Sequence, residues 1–540
     1  MGNLTFTPAA PILVRNVRTP YVATLHSPTP KYGACAHCHD RPGRDTLAPL
    51  VDFLLAQVSN LKDAAPAESL GLDSVILGEQ FYFFTVVLMW LIHVGFMTYE
   101  TGVARRKNAL ATAMKNILTI AVVTPSFYYF GWWIYNCNMP GFPPIGPNST
   151  DFTAAACQGG IPWSDIFGPN LTNNINLVFF LAFLLFSWTT ASIMSGALLE
   201  RVRLSAYLVL AVLLGSVVWI LDAAWGWSAG GWMTLRFGFH DSIASAVVHG
   251  VSGAFTLGVL FNLGPRIGKY TKEGLTRIFR PHNVHMTLMG LMLIFTGFYG
   301  FYAACLVIAS TAFPGWATIY LNPTTLGSIA MIITFGFAGG FTGGYFASRG
   351  DPFWTVSGGL AGVISVSAGA DVYAPTLGYL IAAATAALAV YVGNWIETKM
   401  RVDDCVGAVA VHGFSGFMGI IWVGVFAAGY PTGVNNVESS MGGQLMGLAT
   451  FLPLGFLSGW FASWVLKKLN LLRVPPEVEL DGIDSAYYEP DIHVPEFAHA
   501  EDLIIEPDGS RVPADAVQAQ AARELVTTME ARPPPRGGPS

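Results

Sequence analysis

The sequence predicts an all-α polytopic membrane protein of 11 transmembrane helices, built as an inverted repeat of five plus five helices with one extra helix. Three observations lead to this prediction. The chain has 540 residues, of which 53% are hydrophobic and only 11% are charged, whereas soluble domains carry about 25% charged residues. It divides into apolar stretches of about 20 residues, the length that an α-helix needs to cross a bilayer. A six-residue pattern, V-H-G-x-S-G, occurs twice, at 248–253 and at 411–416.

Eleven stretches meet the length requirement, and helix breakers and charges separate them. We number them span 1 to span 11 in chain order. The boundary between spans 7 and 8 lies at Pro352, and its position decides the predicted topology. The spans lie near residues 76–99, 110–135, 174–197, 204–225, 242–263, 284–310, 325–347, 353–372, 376–397, 407–428 and 442–466.

The placement of lysine and arginine tests this count independently. Alternate loops are basic, whereas the loops between them hold Arg236 and almost no other basic residue. Because basic residues mark the cytoplasmic side, the N-terminus is predicted to lie outside and the C-terminus inside. The basic residues of the alternate loops are Arg105, Arg106, Lys107, Arg201, Arg203, Arg266, Lys269, Lys272, Arg277, Arg280, Arg349, Lys399, Arg401, Lys467 and Lys468.

The two copies of V-H-G-x-S-G fall in spans 5 and 10. Because they are five helices apart, the second copy is predicted to cross the membrane in the opposite direction, which makes an inverted repeat. Working sites of such repeats commonly lie at the midplane, so we expect His249 and His412 to face one another there. The glycines and serine beside each histidine let the two helices approach closely. The alternative is a pair of core histidines that each bond a nearby carbonyl, but ionisable groups at symmetric positions inside a membrane favour a functional pair.

A carboxylate and several aromatic residues precede the first histidine. Asp241 lies at the outer end of span 5, eight residues before His249. Aromatic faces and one carboxylate suit a small cation, because the ring quadrupole attracts positive charge. The alternative is an aromatic belt at the membrane interface, which is common. The aromatic residues of the preceding loop are Trp225, Trp227, Trp232, Phe237 and Phe239.

Five motifs together make the chain similar to one known family. They are E-T-G-V-A-R-R-K-N at 100–108, L-L-E-R-V-R-L-S-A at 198–206, D-S-I-A-S-A-V-V-H at 241–249, P-H-N-V-H at 281–285 and D-D-C-V-G-A-V-A-V-H-G at 403–413. Over most of residues 76–484 the sequence resembles the ammonium transporter family (Amt/Mep/Rh), in particular its Amt-type members.

The resemblance implies an external recruitment site for ammonium. Trp227 and Phe186 would line it, Phe186 and Phe301 would form the gate below it, and Asp241 would orient it without touching the ion. Cys305 stands where the family usually has a serine hydroxyl, and a thiol is a poorer hydrogen-bond partner for a cation.

The resemblance also implies how the pore works. His249 and His412 would line an apolar pore that ammonia crosses after ammonium has lost a proton, with the histidines as a relay for that proton. One departure concerns Gly407, which replaces an acidic residue that the family commonly has five positions before the second histidine. The family implies a transporter rather than an enzyme, and no cofactor or metal is expected.

Organisation and partners follow the same resemblance. We expect an extracytoplasmic extension over 1–75, the transporter domain over 76–466 and a cytoplasmic regulatory region over 467–540, with its distal acidic part disordered. The segment at 471–484 resembles the one through which this family couples its subunits. Expected partners are ammonium or ammonia, the bilayer of the plasma membrane, two further copies in a homotrimer and a cytoplasmic PII-type regulator. A net charge of −6 argues against nucleic acid.

Two other functions stay open. An ammonium sensor that conducts little would fit the changes at Cys305 and Gly407. A haem-linked redox protein would rest on C-A-H-C-H at 35–39 alone, which matches a haem-attachment motif. Against haem, no methionine lies between His39 and the first span to act as a second axial ligand. Cys137 and Cys157 share one outer loop and could form a disulfide.

Overall fold

Long helices make up most of the chain that the structure describes. This computed structural model describes residues 72–132, 134–135, 174–271, 276–279, 281–308, 316–432 and 437–488, together with the backbone of 503–505 and 511–513. The C-A-H-C-H motif at 35–39, Cys137 and Cys157 lie outside these ranges. The fold is all-α across the membrane domain, as predicted.

The first five spans form helices, three of which contain a π-helical segment. Span 4 has its π-helical segment in the middle, whereas span 5 begins with one. The bounds are Leu72–Val103 for span 1; Ala109–Ser126 and the π-helical Phe127–Gly131 for span 2; Asn174–Ala197 for span 3; Leu204–Leu213, the π-helical Leu214–Val218 and Trp219–Gly226 for span 4; and the π-helical Ser245–Gly250 and Val251–Leu263 for span 5.

The last six spans are also helical, and span 10 begins with a π-helical segment, as span 5 does. The bounds are Val284–Ala304 for span 6, Leu326–Ser348 for span 7, Pro352–Ser367 for span 8, Pro375–Thr398 for span 9, the π-helical Val409–Phe414 and Ser415–Phe426 for span 10, and Met441–Lys468 for span 11.

Short elements connect the spans. The helical ones are Arg106–Asn108, Trp232–Phe237, Pro476–Asp481 and Ile483–Tyr487. The strands are Leu306–Ile308, Trp316–Thr318 and Pro323–Thr324 in one antiparallel sheet, Pro431–Thr432 paired with Val437–Glu438, and Leu503–Ile505 paired with Arg511–Pro513. The last pair falls within the tail that was predicted to be disordered.

Ten helices in the described part of the chain are long and apolar enough to cross a membrane. Span 8 is the predicted span that is not among these ten. It forms a helix of 16 residues, which rises about 24 Å and is therefore shorter than the hydrocarbon thickness of about 30 Å. Every residue from 357 to 370 is buried, so this helix is enclosed by other helices and does not need to match the lipid. The count of 11 crossings and the direction of the termini stay predictions.

Two predicted ends of spans were wrong. Span 6 was predicted to reach residue 310 but ends at Ala304, because the chain turns into the sheet that begins at Leu306. Span 8 was predicted to continue to 372 and ends at Ser367. Its start agrees with the prediction, because the Asp351 side chain accepts a hydrogen bond from Trp354 N (2.9 Å) and Pro352 occupies the first helical position.

The two V-H-G-x-S-G copies cross one another in antiparallel fashion. The closest approaches between the two helices show how they are aligned. A β-carbon added to Gly253 would lie 2.2 Å from Gly413 Cα, and a β-carbon added to Gly416 would lie 2.5 Å from Gly250 N. Residue numbers therefore rise on one helix as they fall on the other. This arrangement agrees with the inverted repeat, and it needs glycine because the two backbones are in contact.

A charged cluster joins the loops that were predicted to be cytoplasmic. Glu200, only 3% exposed, accepts hydrogen bonds from Arg105 Nε (2.5 Å) and lies 3.6 Å from Arg266 Nη1. Arg266 also donates to both carboxylate oxygens of Asp403, each at 2.9 Å. Such paired groups satisfy one another's charge and hydrogen bonds when they are buried.

The segment after span 11 packs against the same loops. Arg473 Nη1 donates to Leu263 O, at the end of span 5, at 2.8 Å. The carboxylate of Asp484 accepts hydrogen bonds from Leu110 N (2.9 Å) and Ala111 N (2.8 Å), at the start of span 2. The chain as far as Asp484 is therefore tied to the membrane domain.

Candidate functional site

An aspartate cap positions the first histidine. Asp241 is fully buried, and its carboxylate accepts hydrogen bonds from the backbone N–H groups of Ser245 (2.6 Å), Ala246 (2.7 Å) and Val247 (3.0 Å). These are donors that a helix start leaves without intrahelical partners. Both oxygens of Asp241 are therefore engaged by the helix that carries His249.

The second histidine is positioned by the same device. Asp404, eight residues before His412, accepts a hydrogen bond from Val409 N at 2.7 Å. In each copy the third residue after the aspartate has a left-handed backbone: Ala244 with φ +59° and Gly407 with φ +71°. Glycine adopts this conformation without steric cost. Glycine at 407 suits this left-handed backbone, a feature that sequence reasoning missed, and Ala244 adopts the same conformation with a side chain.

The two imidazoles meet inside the protein. His249 Nδ1 lies 3.0 Å from His412 Nδ1, and the rings are nearly parallel, with centroids 5.2 Å apart. His249 is fully buried and His412 is 5% exposed. Since one Nδ1 must donate and the other accept, the pair shares a single proton on this edge. The π-helical segments that begin spans 5 and 10 carry both histidines, and such segments are frequent at functional sites.

Four aromatic rings lie in contact above His249, and all are fully buried. Trp227 lies edge to face with Phe186, with centroids 5.3 Å apart, and Phe186 does so with Phe301 at 4.5 Å. Phe301 in turn lies 5.6 Å from the His249 ring. Phe183 packs at 5.5 Å from Trp227 and 5.9 Å from Phe186. Thus the structure brings together Trp227, Phe186, Phe301 and the histidine pair in one continuous series of contacts.

Cys305 lies one helical turn beyond Phe301. It is fully buried, and its thiol donates to the Phe301 carbonyl at 3.3 Å. The Trp227 indole N–H donates to Ser242 O (3.3 Å), next to Asp241, so the ring is fixed on the side of the aspartate cap. Of the predicted recruitment residues, Trp227 and Phe186 therefore belong to the aromatic cluster, and Asp241 and Cys305 lie next to it.

Sequence reasoning missed two tyrosines that hold the aromatic cluster in place. Tyr135 donates to Trp227 O at 2.7 Å and packs on Phe183 with centroids 5.0 Å apart. Tyr320 donates to Gly226 O at 2.8 Å. Neither had a local signal, because each reaches Trp227 or its neighbour from a distant span or loop.

Polar groups on the other side of His412 were missed as well. His412 lines a small cavity together with Tyr99, Glu100 and Ser357. Glu100 is fully buried, although span 1 was predicted to end at residue 99. The available signal was a carboxylate in the last turn of an apolar helix. Within the described ranges, no three His, Cys, Asp or Glu side chains are grouped so that they could hold a metal.

The fold and this site define a class of protein: a multi-pass membrane protein whose two halves meet at a buried histidine pair beneath an aromatic cluster. Comparisons with known proteins extend this to a family. The model of the Ammonium Transporter Family matches residues 80–491. The chain therefore belongs to the ammonium transporter family, whose members are transporters rather than enzymes and are multi-pass proteins of the plasma membrane.

Individual relatives agree with the family match. Ammonium transporter Amt2 of Archaeoglobus fulgidus is 29% identical over 428 residues, which cover 74% of this chain and 84% of the relative. A putative ammonium transporter of Synechocystis sp. is 30% identical over 420 residues, with 74% and 71% covered. Among solved structures, a sensor Amt protein is 24% identical with a TM-score of 0.63, covering 76% of this chain and 98% of that chain. Mep2 of Saccharomyces cerevisiae is 20% identical with a TM-score of 0.60, covering 74% and 90%. The two structures show the fold alone.

Proposed function

We propose that this chain transports ammonium across the plasma membrane by carrying ammonia and the proton separately past the histidine pair. Ammonium is recruited at Trp227 and Phe186, loses a proton, and passes Phe301 as ammonia. It then crosses the apolar pore along His249 and His412. The observation that carries this proposal is the continuous series of contacts from Trp227 to the hydrogen-bonded imidazoles.

Selectivity for ammonium over potassium follows from the apolar lining of the pore. An ion that enters an apolar environment loses its hydration at a cost of several kcal/mol or more. Ammonium avoids this cost by leaving its proton behind, whereas a potassium ion has no proton to lose. The recruitment step uses the ring faces, each of which attracts a cation with roughly 0.5–2 kcal/mol.

Asp241 supports recruitment without binding the ion. Its carboxylate oxygens accept hydrogen bonds from three backbone N–H groups, and its negative charge attracts the cation to the recruitment site without contact. Cys305 offers a weak hydrogen-bonding group in place of a hydroxyl, so the aromatic rings contribute most of the attraction.

The histidine pair contacts the ammonia and relays the proton. Each imidazole has one nitrogen in the Nδ1–Nδ1 hydrogen bond, which leaves its Nε2 for the permeating molecule. A proton delivered to His249 moves through the shared hydrogen bond to His412 when the two rings exchange their tautomers. Charge therefore crosses the membrane with each ammonia.

Replacing each histidine by alanine tests this proposal. Ammonium-evoked current on a solid-supported membrane is expected to fall to the level of empty vesicles in H249A and H412A, because the relay is broken. The matched control is H285A, which removes an exposed histidine at the start of span 6 and should keep the wild-type current. Wild-type current and potassium exclusion in both pore variants would refute the proposal.

An ammonium sensor with little conduction is the second candidate. It is favoured by the closed contact between Phe186 and Phe301, with centroids 4.5 Å apart, and by the thiol at Cys305. Such a protein would bind ammonium, seen as a shift of its melting temperature, yet produce no steady current from wild-type vesicles.

The remaining expectations are proposals from family membership. They are a homotrimer with one pore in each subunit, an extracytoplasmic extension over 1–75 and a regulatory region over 467–540 that binds a PII-type protein. The contacts of Asp484 with the start of span 2 support a regulatory region that acts on the membrane domain. Native mass spectrometry of the detergent-solubilised protein measures the subunit number.

A further inference from the structure

A small cavity lies directly beyond the histidine pair. It is lined by Phe96, Tyr99, Glu100, Ile193, Gly196, Ser357, Leu360, Val406, Val411 and His412. The volume open to the centre of a water-sized sphere is about 10 Å³. This is room for one water or ammonia molecule. Most of the wall is apolar, so the few polar groups in it decide what that molecule can exchange.

Glu100 is the acidic group among these lining residues. Its side chain is fully buried in the last turns of span 1, at membrane depth. Ser195 Oγ donates to its Oε1, and Asn116 Nδ2 donates to its Oε2 at 2.9 Å. A β-carbon built on Gly196 would lie 3.3 Å from Glu100 Oε1. Since Gly196 also lines the cavity, the absence of a side chain there leaves Oε1 next to the open space.

A buried lysine compensates the carboxylate. Lys115 Nζ lies 3.4 Å from Glu100 Oε2 and donates to Ser195 O at 2.6 Å. The pair joins spans 1 and 2 under the pore. Lys115 compensates the carboxylate on Oε2, while Oε1 borders the cavity and is the oxygen that a proton can reach; whenever Glu100 is protonated, the positive charge stays on Lys115.

The cavity also holds a polar atom with unused bonding capacity. Ser357, on span 8 opposite span 1, has a buried Oγ with no partner within 3.5 Å among the described residues, and the hydroxyl of Tyr99 is its near polar neighbour. A buried hydroxyl of this kind costs free energy unless a molecule in the cavity bonds to it. Ser357, Glu100 and His412 thus surround one place for a small hydrogen-bonding molecule.

We propose that Glu100 is the proton-transfer residue on the cytoplasmic side of the histidine pair, where it returns the proton to ammonia. This proposal rests on the proposed transport function. Protonated His412 gives its proton to the Glu100 carboxylate through the molecule in the cavity, which leaves a neutral imidazole and a carboxylic acid. The acid then gives the proton to an arriving ammonia, so ammonium leaves and the carboxylate is restored. Each cycle moves one proton and one ammonia, and no other reactant is needed.

The variant E100Q tests this role, because glutamine keeps the size and shape of Glu100 and one acceptor oxygen for Asn116 but does not carry the proton. We expect the maximal ammonium-evoked current to fall about tenfold or more, the range over which a positioned acid–base group acts. The ammonium concentration for half-maximal current should stay within about twofold of wild type, since recruitment occurs on the other side of the pore. E100D, which restores a carboxylate, should recover part of the current.

The matched control is E397Q, which makes the same change in another glutamate–lysine pair, on the surface. The Glu397 side chain is 37% exposed and pairs with Lys269, so the current should not change. E100Q also leaves Lys115 without its counter-ion, and the double variant E100Q/K115M removes that charge. If E100Q does not fold, the double variant replaces it, and it should show the same loss of current.

The outcomes separate this proposal from the function on which it rests. A folded E100Q or E100Q/K115M that carries the wild-type maximal current would overturn the role of Glu100 and leave transport intact. Wild-type protein that gives no ammonium-evoked current would overturn both. A loss of current in the Glu100 variants with unchanged half-saturation, while E397Q behaves as wild type, is the result that we expect.

Discussion

Replacing Gly253 with alanine tests whether the close crossing of spans 5 and 10 holds the histidine pair together. The new β-carbon would lie 2.2 Å from Gly413 Cα and 2.3 Å from Gly413 N. Neither neighbour is a side chain that could turn away, so the backbones themselves must separate. Reaching an ordinary contact of 3.4 Å requires a displacement of about 1.2 Å.

The displacement translates into two measurable losses. Overpacking of this kind costs about 1–3 kcal/mol. If it moves the rings apart by the same amount, the Nδ1–Nδ1 distance grows from 3.0 Å to about 4 Å, which is beyond hydrogen bonding. We therefore expect a lower melting temperature in detergent and a strongly reduced ammonium-evoked current on a solid-supported membrane.

Gly327 provides the matched control for this change. A β-carbon on Gly327, in the first turn of span 7, would meet nothing within 4 Å, so G327A should leave the current unchanged and the melting temperature the same or slightly higher. Wild-type stability and current in G253A would show that the crossing tolerates a side chain, and the reasoning from backbone contact would be wrong.

Two further predictions concern buried carboxylates. D241A removes the acceptor of three backbone N–H groups and should lower stability by about 0.5–2 kcal/mol, whereas D241N should lose less; equal melting temperatures for wild type and D241A would contradict the cap. The second concerns Glu200 outside the spans. Burial alone would raise the pKa of Glu200, but Arg266 and the hydrogen bonds from Arg105 outweigh it and lower that pKa. Its stabilisation is therefore present above the unfolded-state pKa of about 4.3 and is lost as pH falls through the folded-state pKa. The melting temperature of E200Q should accordingly fall less than that of wild type between about pH 5 and about pH 3, and equal slopes would count against this ion pair.

Much of the helical frame could be predicted because its signals are local. The length of an apolar stretch and the residues at its ends decide where a membrane helix begins, as Asp351 and Pro352 do for span 8. The errors occurred where a local signal was absent. The apolar run after Ala304 continues into a strand because it pairs with Trp316–Thr318, a partner that the run itself does not reveal.

The site was predicted in part for the same reason. A repeated motif identified His249 and His412, and the family motifs pointed to Trp227, Phe186 and Phe301. Their contacts agree with that prediction, while their roles in transport stay proposals. Glu100 carried only a weak signal, because its importance depends on a cavity formed by spans 1, 3, 8 and 10.

By itself, the sequence determined the class of fold, the repeat and the identity of the paired histidines, since composition, span length and motif spacing are properties of the chain alone. Only the tertiary structure decided that the Nδ1 atoms of His249 and His412 lie 3.0 Å apart and that Glu100 borders the space beyond His412. These features depend on how helices more than 100 residues apart pack against one another. Close packing of whole helices, rather than any local preference, sets those distances.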